Sequence, residues 1–287
     1  MSKFKKICKI IFKGMAMGAA DTIPGVSGST IAVIVGIYDQ FIESIKYFFG
    51  FKIRKRYLIL VVKKAQILFL IQLVTGIFLG GFIFSRLMIK LNLLTTYYNY
   101  SSFFFIGLIL GSLPIIIKAH HNMKLTFNKG LVFFLAFSFV IILSVLTPAN
   151  TNIGIQMFHN PLYFYFFIFI SGIIASSAML VPGISGSFML LLLGSYYTII
   201  NAVSSLNLPI IFTMASGTVV GAFTVANIMG YFLKKHPAFT YYAIIGLMLG
   251  SLYKLWPTNL DPKTSTLIIC FFSFAIGFLI TRLLDKK

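Results

Sequence analysis

The segment Leu131–Leu146 reads LVFFLAFSFVIILSVL and Thr264–Ile280 reads TSTLIICFFSFAIGFLI, neither with a charged side chain. A run this long and this apolar is at home where its backbone bonds to itself and its side chains meet hydrocarbon, which is a bilayer-spanning helix. Such runs recur along the chain, and they are continuous rather than alternating, which argues against a membrane β-barrel. Of the 287 residues 59% are hydrophobic and only 10% charged, well short of the ~25% charge of a soluble domain. No polar stretch exceeds roughly 15 residues, so no soluble module is indicated. The expectation is an all-α polytopic membrane protein, a single membrane domain over residues 1–287.

The formal charge is +19. In a soluble chain that would point to nucleic acid; here Lys and Arg mark one membrane face, and no nucleic-acid partner is expected. Five lysines lie in residues 1–13, and Lys52, Arg54, Lys55, Arg56, Lys63 and Lys64 lie in 50–64. Further basic residues fall at 118–129, at Lys234 and Lys235, and at the C-terminus. Residues 148–160 and 201–208 hold no Lys or Arg, while 86–100 hold Arg86 and Lys90, and 254–263 hold Lys254 and Lys263. By the positive-inside rule the first group is cytoplasmic, with both termini, and the second external. A signal peptide is not indicated, because Lys13 cuts the first apolar stretch short.

Residues 14–42, GMAMGAADTIPGVSGSTIAVIVGIYDQFI, align with 172–200, GIIASSAMLVPGISGSFMLLLLGSYYTII. Pro24, Gly25, Ser27, Gly28 and Ser29 match Pro182, Gly183, Ser185, Gly186 and Ser187, and Tyr38 matches Tyr196. Further on, FIGLILGSLP (105–114) resembles IIGLMLGSLY (244–253). The chain therefore reads as two repeats, 1–147 and 160–287. Residues 1–13 and 50–64 share a side, so 14–49 must enter and return as a re-entrant hairpin, followed by spans at 66–86, 101–117 and 130–147. The second repeat has a hairpin at 161–200 and spans at 209–233, 240–253 and 264–281; its first leg, 161–181, is itself long enough to span. A hairpin plus three spans has odd parity, so the repeats are expected to have inverted topology, as in many carriers.

Irregular backbone survives at mid-membrane only when buried in protein or lining a wet cavity. Pro24 and Gly25 end one half-helix, and Ser27 or Ser29 is placed to cap the next. Half-helix N–H groups and Gly-Ser turns can hold an anion. The candidate substrate-binding residues are Gly25, Ser27, Gly28, Ser29 and Thr30, with Gly183, Ser185, Gly186 and Ser187 from the mirrored hairpin. No Lys or Arg lies in the middle of an apolar segment, so such a site would be built without a buried cation. The alternative is that these small residues only kink and pack helices; their repetition on opposed hairpins favours a site.

Asp21 precedes Pro24 by three residues and has Met179 as its counterpart. An intramembrane carboxylate can carry a coupling proton, bind a cation such as sodium, or cap nearby N–H groups. Asp39 and Glu43 read as partners of the Lys/Arg cluster. Arg86 either captures an anionic headgroup or anchors its span. Gly107 with Gly111, and Gly246 with Gly250, read as helix-packing faces, and Pro114 as a kink or helix end. His120, His121, His159 and His236 fall in loops, and Cys8 and Cys270 at opposite ends, so neither a metal nor a disulfide framework is expected.

The paired motifs resemble those of the bacterial polyprenyl-phosphate transporter family, and the resemblance covers nearly the whole chain. It implies a plasma-membrane transporter returning undecaprenyl phosphate from the outer to the inner leaflet for wall-polymer synthesis. The family's doubled motif maps onto Asp21, Pro24–Thr30 and Pro182–Ser187, with Ser29 where relatives often carry Gly. The implied partners are the lipid phosphate and membrane lipids, with no cofactor beyond a coupling proton or sodium; the oligomeric state is left open.

Three rival functions follow from the same residues. A carrier for a small soluble anion, coupled to protons or sodium, would use the same hairpin tips. A lipid-phosphate phosphatase would need a His nucleophile or a His–acid pair, and no His lies in an apolar segment. A scaffold would have little use for broken helices at mid-membrane.

Overall fold

The computed structural model describes residues 3–22, 26–49, 58–90, 97–119, 123–146, 160–257 and 264–285. Among them there are twelve helices and no strand. In chain order they are α1 (Lys3–Asp21), α2 (Gly28–Ile34), α3 (Tyr38–Phe49), α4 (Leu58–Lys90), α5 (Tyr98–Ala119) and α6 (Phe127–Leu146). Then follow α7 (Pro161–Leu180), α8 (Gly186–Leu192), α9 (Tyr196–Ser204), α10 (Leu208–Lys235), α11 (Pro237–Leu255) and α12 (Thr264–Asp285).

Local chemistry sets several boundaries. Asn160 caps α7 by accepting the Leu162 N–H at 2.9 Å, and Pro161 supplies the first helical turn with its preset φ. Pro237 opens α11 directly after α10 ends at Lys235. Gly36 and Gly194, equivalent positions in the repeated stretch, end α2 and α8 in left-handed backbone at φ +67 and +72. Pro114 ends nothing, because α5 runs through it to Ala119.

Seven helices are long and apolar enough to cross a membrane, which makes this a multi-pass membrane protein. Six coincide with the expected spans and the seventh is α7, all twenty residues of which lack charge. α1 is continuous from Lys3 to Asp21, so the lysine-rich start belongs to the same helix as the first hairpin leg. α8 and the start of α9 are bent by 115° at their break.

Glycine decides how the long helices meet. A Cβ on Gly14 would strike the Leu73 carbonyl and one on Gly18 the Ile77 carbonyl, so α1 and α4 touch backbone to backbone. Gly14 lies by Leu73 and Gly76, and Gly18 by Ile77 and Gly81, so the two helices run parallel. α7 and α10 repeat this, with Gly172 against Met214 and Gly217, and Ile173 and Ser176 against Gly221. Gly107 and Gly111 of α5 pack on Phe274 and Phe278 of α12, and Gly246 and Gly250 of α11 on Phe133 and Phe137 of α6, again parallel. Each half of the chain thus lends its penultimate helix to the other half's last one. In α11 56% of the apolar window is buried, against 11% in α6 and α10, which places α11 at the centre. The rest of the core is Met17, Ala32, Tyr38, Ile42, Leu73, Ile109, Ile244 and Met248, wrapped around α2 and α3.

Candidate functional site

The two repeated motifs meet. Thr30 Oγ1 accepts the backbone N–H of Gly183 at 2.9 Å, and the Tyr38 hydroxyl donates to the Leu180 carbonyl at 3.0 Å. Gly183 sits at φ +89, and a Cβ there would overlap the Leu247–Met248 peptide, so the second motif is seated against the middle of α11. Gly25 and Pro24 lie outside the described residues.

The first motif is closed. Every residue of α2 is buried, as is Ser27 ahead of it. Asp21 Oδ1 accepts the Gly28 N–H at 2.6 Å, so the chain's own carboxylate occupies the N-terminus of this short helix. Lys13 Nζ donates to the Val35 carbonyl at 2.6 Å, holding the opposite end. Ser27 stands at the N-cap position, yet its hydroxyl makes no cap bond and pairs with Ser29 at 2.7 Å instead. The capping role expected of a serine therefore falls to Asp21, which reaches back from α1 to the free N–H. Asp21 Oδ2 is buried and has no hydrogen-bond partner.

The second motif is open. Ser187 is exposed, Ser185 and Gly186 are half-buried, and within α8 only Leu190 is buried. Ser185 and Ser187 pair at 2.9 Å, as their counterparts do. Neither clamp of the first repeat is present: Met179 replaces Asp21 and is exposed, and Ser171 replaces Lys13 with a buried hydroxyl that has no partner. A small cleft of about 20 Å³ beside this tip is lined by residues that include Gly183, Ser185, Phe188, Ser144, Ser251 and Lys254. Lys254 Nζ lies 4.9 Å from the centre of the Phe188 ring. Sequence reasoning placed Lys254 in a connecting loop; it lies in the last turn of α11, with its ammonium over a ring of the motif. The signal was its position one turn after Ser251, on the helix that seats Gly183. An apolar groove of about 460 Å³, lined among others by Val181, Met229, Phe239, Ile244 and Leu247, borders the same motif.

The remaining candidates are spread out. Arg86 is exposed at the end of α4, with its guanidinium over Phe82 of the same helix. Glu43 of α3 pairs with Lys234 of α10 at 3.0 Å, and Asp39 accepts the Tyr241 hydroxyl at 2.6 Å. Both carboxylates thus contact the other half of the chain, because α3 packs along α10, while the basic cluster at 50–64 lies largely outside the described residues.

Apolar helices packed through glycine around a small polar centre define a multi-pass membrane protein. The chain belongs to the undecaprenyl phosphate translocase-like family, whose model matches residues 17–280. A polyprenyl-phosphate transporter of Vibrio cholerae serotype O1 is 39% identical over 85% of this chain and 76% of its own length. A polyprenyl-phosphate transporter of Staphylococcus aureus is 33% identical over 100% of this chain and 98% of its own length. No solved structure matches the chain. Its family makes it a transporter rather than an enzyme.

Proposed function

We propose that the chain returns undecaprenyl phosphate from the outer to the inner leaflet of a bacterial plasma membrane for wall-polymer synthesis, the phosphate passing between the two motif tips. The observation that carries this reading is the Thr30–Gly183 hydrogen bond, which brings together two polar interruptions 153 residues apart. Support for lipid over a soluble anion comes from the apolar groove beside the second motif, where a polyprenyl tail can lie while its headgroup stays at the polar tip.

The parallel packing of α1 with α4, and of α7 with α10, fits hairpins that return the chain to the side it entered from. With the charge pattern it supports two repeats of inverted topology, both termini cytoplasmic. Such a carrier works by exchanging which tip is open. Here the first tip is closed, with α3 tied to α10 through Glu43–Lys234, and the second is open. The unpartnered Oδ2 of Asp21 supports a coupling role, since a bound proton would neutralise the buried carboxylate and a sodium ion would pair with it.

The test is reconstitution of the purified protein in liposomes with labelled undecaprenyl phosphate. Protein-dependent movement between leaflets is expected. Uptake of a soluble anion without lipid movement would favour the soluble-anion carrier.

A further inference from the structure

We propose that Lys254, exposed beside the small cleft between the second motif, α6 and α11, is the cation that receives the phosphate headgroup. This deepens the reading above and rests on it.

The two motifs are one design filled in two ways. In the first, an anion from the chain itself, Asp21, meets the Gly28 N–H, and the described residues from Val26 to Ile34 are buried. In the second, the position of Asp21 is Met179, so the chain supplies no anion there. It supplies a cation instead. Lys254 aligns with Ile115 in the repeated stretch that follows the hairpins, so the charge exists only in the half whose tip lacks a carboxylate. A motif that lacks the first one's carboxylate and has a lysine over its Phe188 ring is arranged for an anion brought by the substrate.

The geometry suits a headgroup arriving from the membrane. Lys254 is exposed, so its ammonium is accessible, and the Phe188 ring holds it over the cleft. Phe188 itself replaces Thr30, the residue that ties the first tip to Gly183. The same position that locks one tip therefore parks the cation at the other. A cation–π contact is weaker than an ion pair with phosphate, so the ammonium can leave the ring when the phosphate arrives. Ser185 lines the same cleft and pairs with the exposed Ser187, so hydroxyls lie beside the ammonium's position.

Binding to the purified full chain tests this, with undecaprenyl phosphate, undecaprenol and inorganic phosphate as probes. Wild type is expected to prefer undecaprenyl phosphate to undecaprenol. Lys254→Gln should lose about tenfold of the affinity for the phosphate lipid and keep that for undecaprenol. Lys254→Arg should restore it, and Lys254→Glu should fall below Gln; a structural role would not follow that order. Competition by inorganic phosphate, weakened in Lys254→Gln, would assign the cleft to phosphate as such, and no competition would assign it to a headgroup held together with its tail; both keep Lys254 as the contact. Equal affinities in wild type, Gln and Glu variants, with transport intact, overturn the proposal alone. Failure of wild type to bind or move undecaprenyl phosphate overturns the transport reading beneath it.

Discussion

Thr30 Oγ1 and the backbone N–H of Gly183 are 2.9 Å apart, a hydrogen bond made between the repeated motifs by residues that are not equivalent within them. Thr30 lies inside α2, whereas Gly183 precedes α8, so each motif meets the other off register. The contact joins the halves and differs from what the exchanged arrangement would make, because Phe188 stands where Thr30 would be needed.

Thr30→Val removes the acceptor and leaves a buried N–H without a partner, at a cost of about 1–3 kcal/mol. The variant should melt earlier in detergent and transport more slowly, while Thr30→Ser stays near wild type. Identical melting of the Val variant would show that water replaces the bond.

Two glycines in left-handed backbone should respond unequally to alanine. At Gly36 nothing lies within 4 Å of a new Cβ, so only the conformational penalty of about 1–2 kcal/mol applies. At Gly183 the same Cβ runs into the Leu247–Met248 peptide as well. Gly183→Ala should therefore cost ~3 kcal/mol or more and yield little folded protein, measurable by size-exclusion recovery and melting.

Asp21→Asn keeps an oxygen for the Gly28 N–H and replaces the unpartnered Oδ2 with a neutral amide. The protein should fold, and transport should lose its dependence on a proton or sodium gradient. Asp21→Ala also orphans the N–H and should lose about 1–3 kcal/mol of stability. Gradient dependence that survives in Asp21→Asn would move coupling elsewhere.

Glu43 and Lys234 are 35% and 69% exposed, so their bond contributes at most about 1 kcal/mol to stability. Its larger effect should be on which tip is open. In a background without Cys8 and Cys270, a cysteine at Ser187 should label readily with a maleimide and one at Ser29 slowly. Lys234→Glu should speed labelling at Ser29, and the reversed pair Glu43→Lys with Lys234→Glu should slow it again. Labelling at Ser29 that ignores both variants would mean that α3 and α10 do not control access.

The sequence by itself determined the helical class, six of the spans and the doubled motif. Each rests on a local signal: apolar length, lysine distribution, and Pro, Gly and Ser at fixed offsets. It also placed Gly107, Gly111, Gly246 and Gly250 on packing faces, since only a helix interface has a use for small residues four apart. What only the tertiary structure decided is how two nearly identical motifs differ. Lys13 and Asp21 clamp one short helix because α1 lies alongside it, and nothing in their spacing states that. Lys254 reaches the other motif because α11, which carries it, is the helix against which Gly183 is seated. Contacts between residues far apart in the chain depend on which helices become neighbours. The glycine faces bring equivalent helices together in both halves, and the residues they carry, Lys13, Asp21 and Thr30 in one and Ser171, Met179 and Phe188 in the other, leave PGVSGST buried over its described residues and PGISGSF more open.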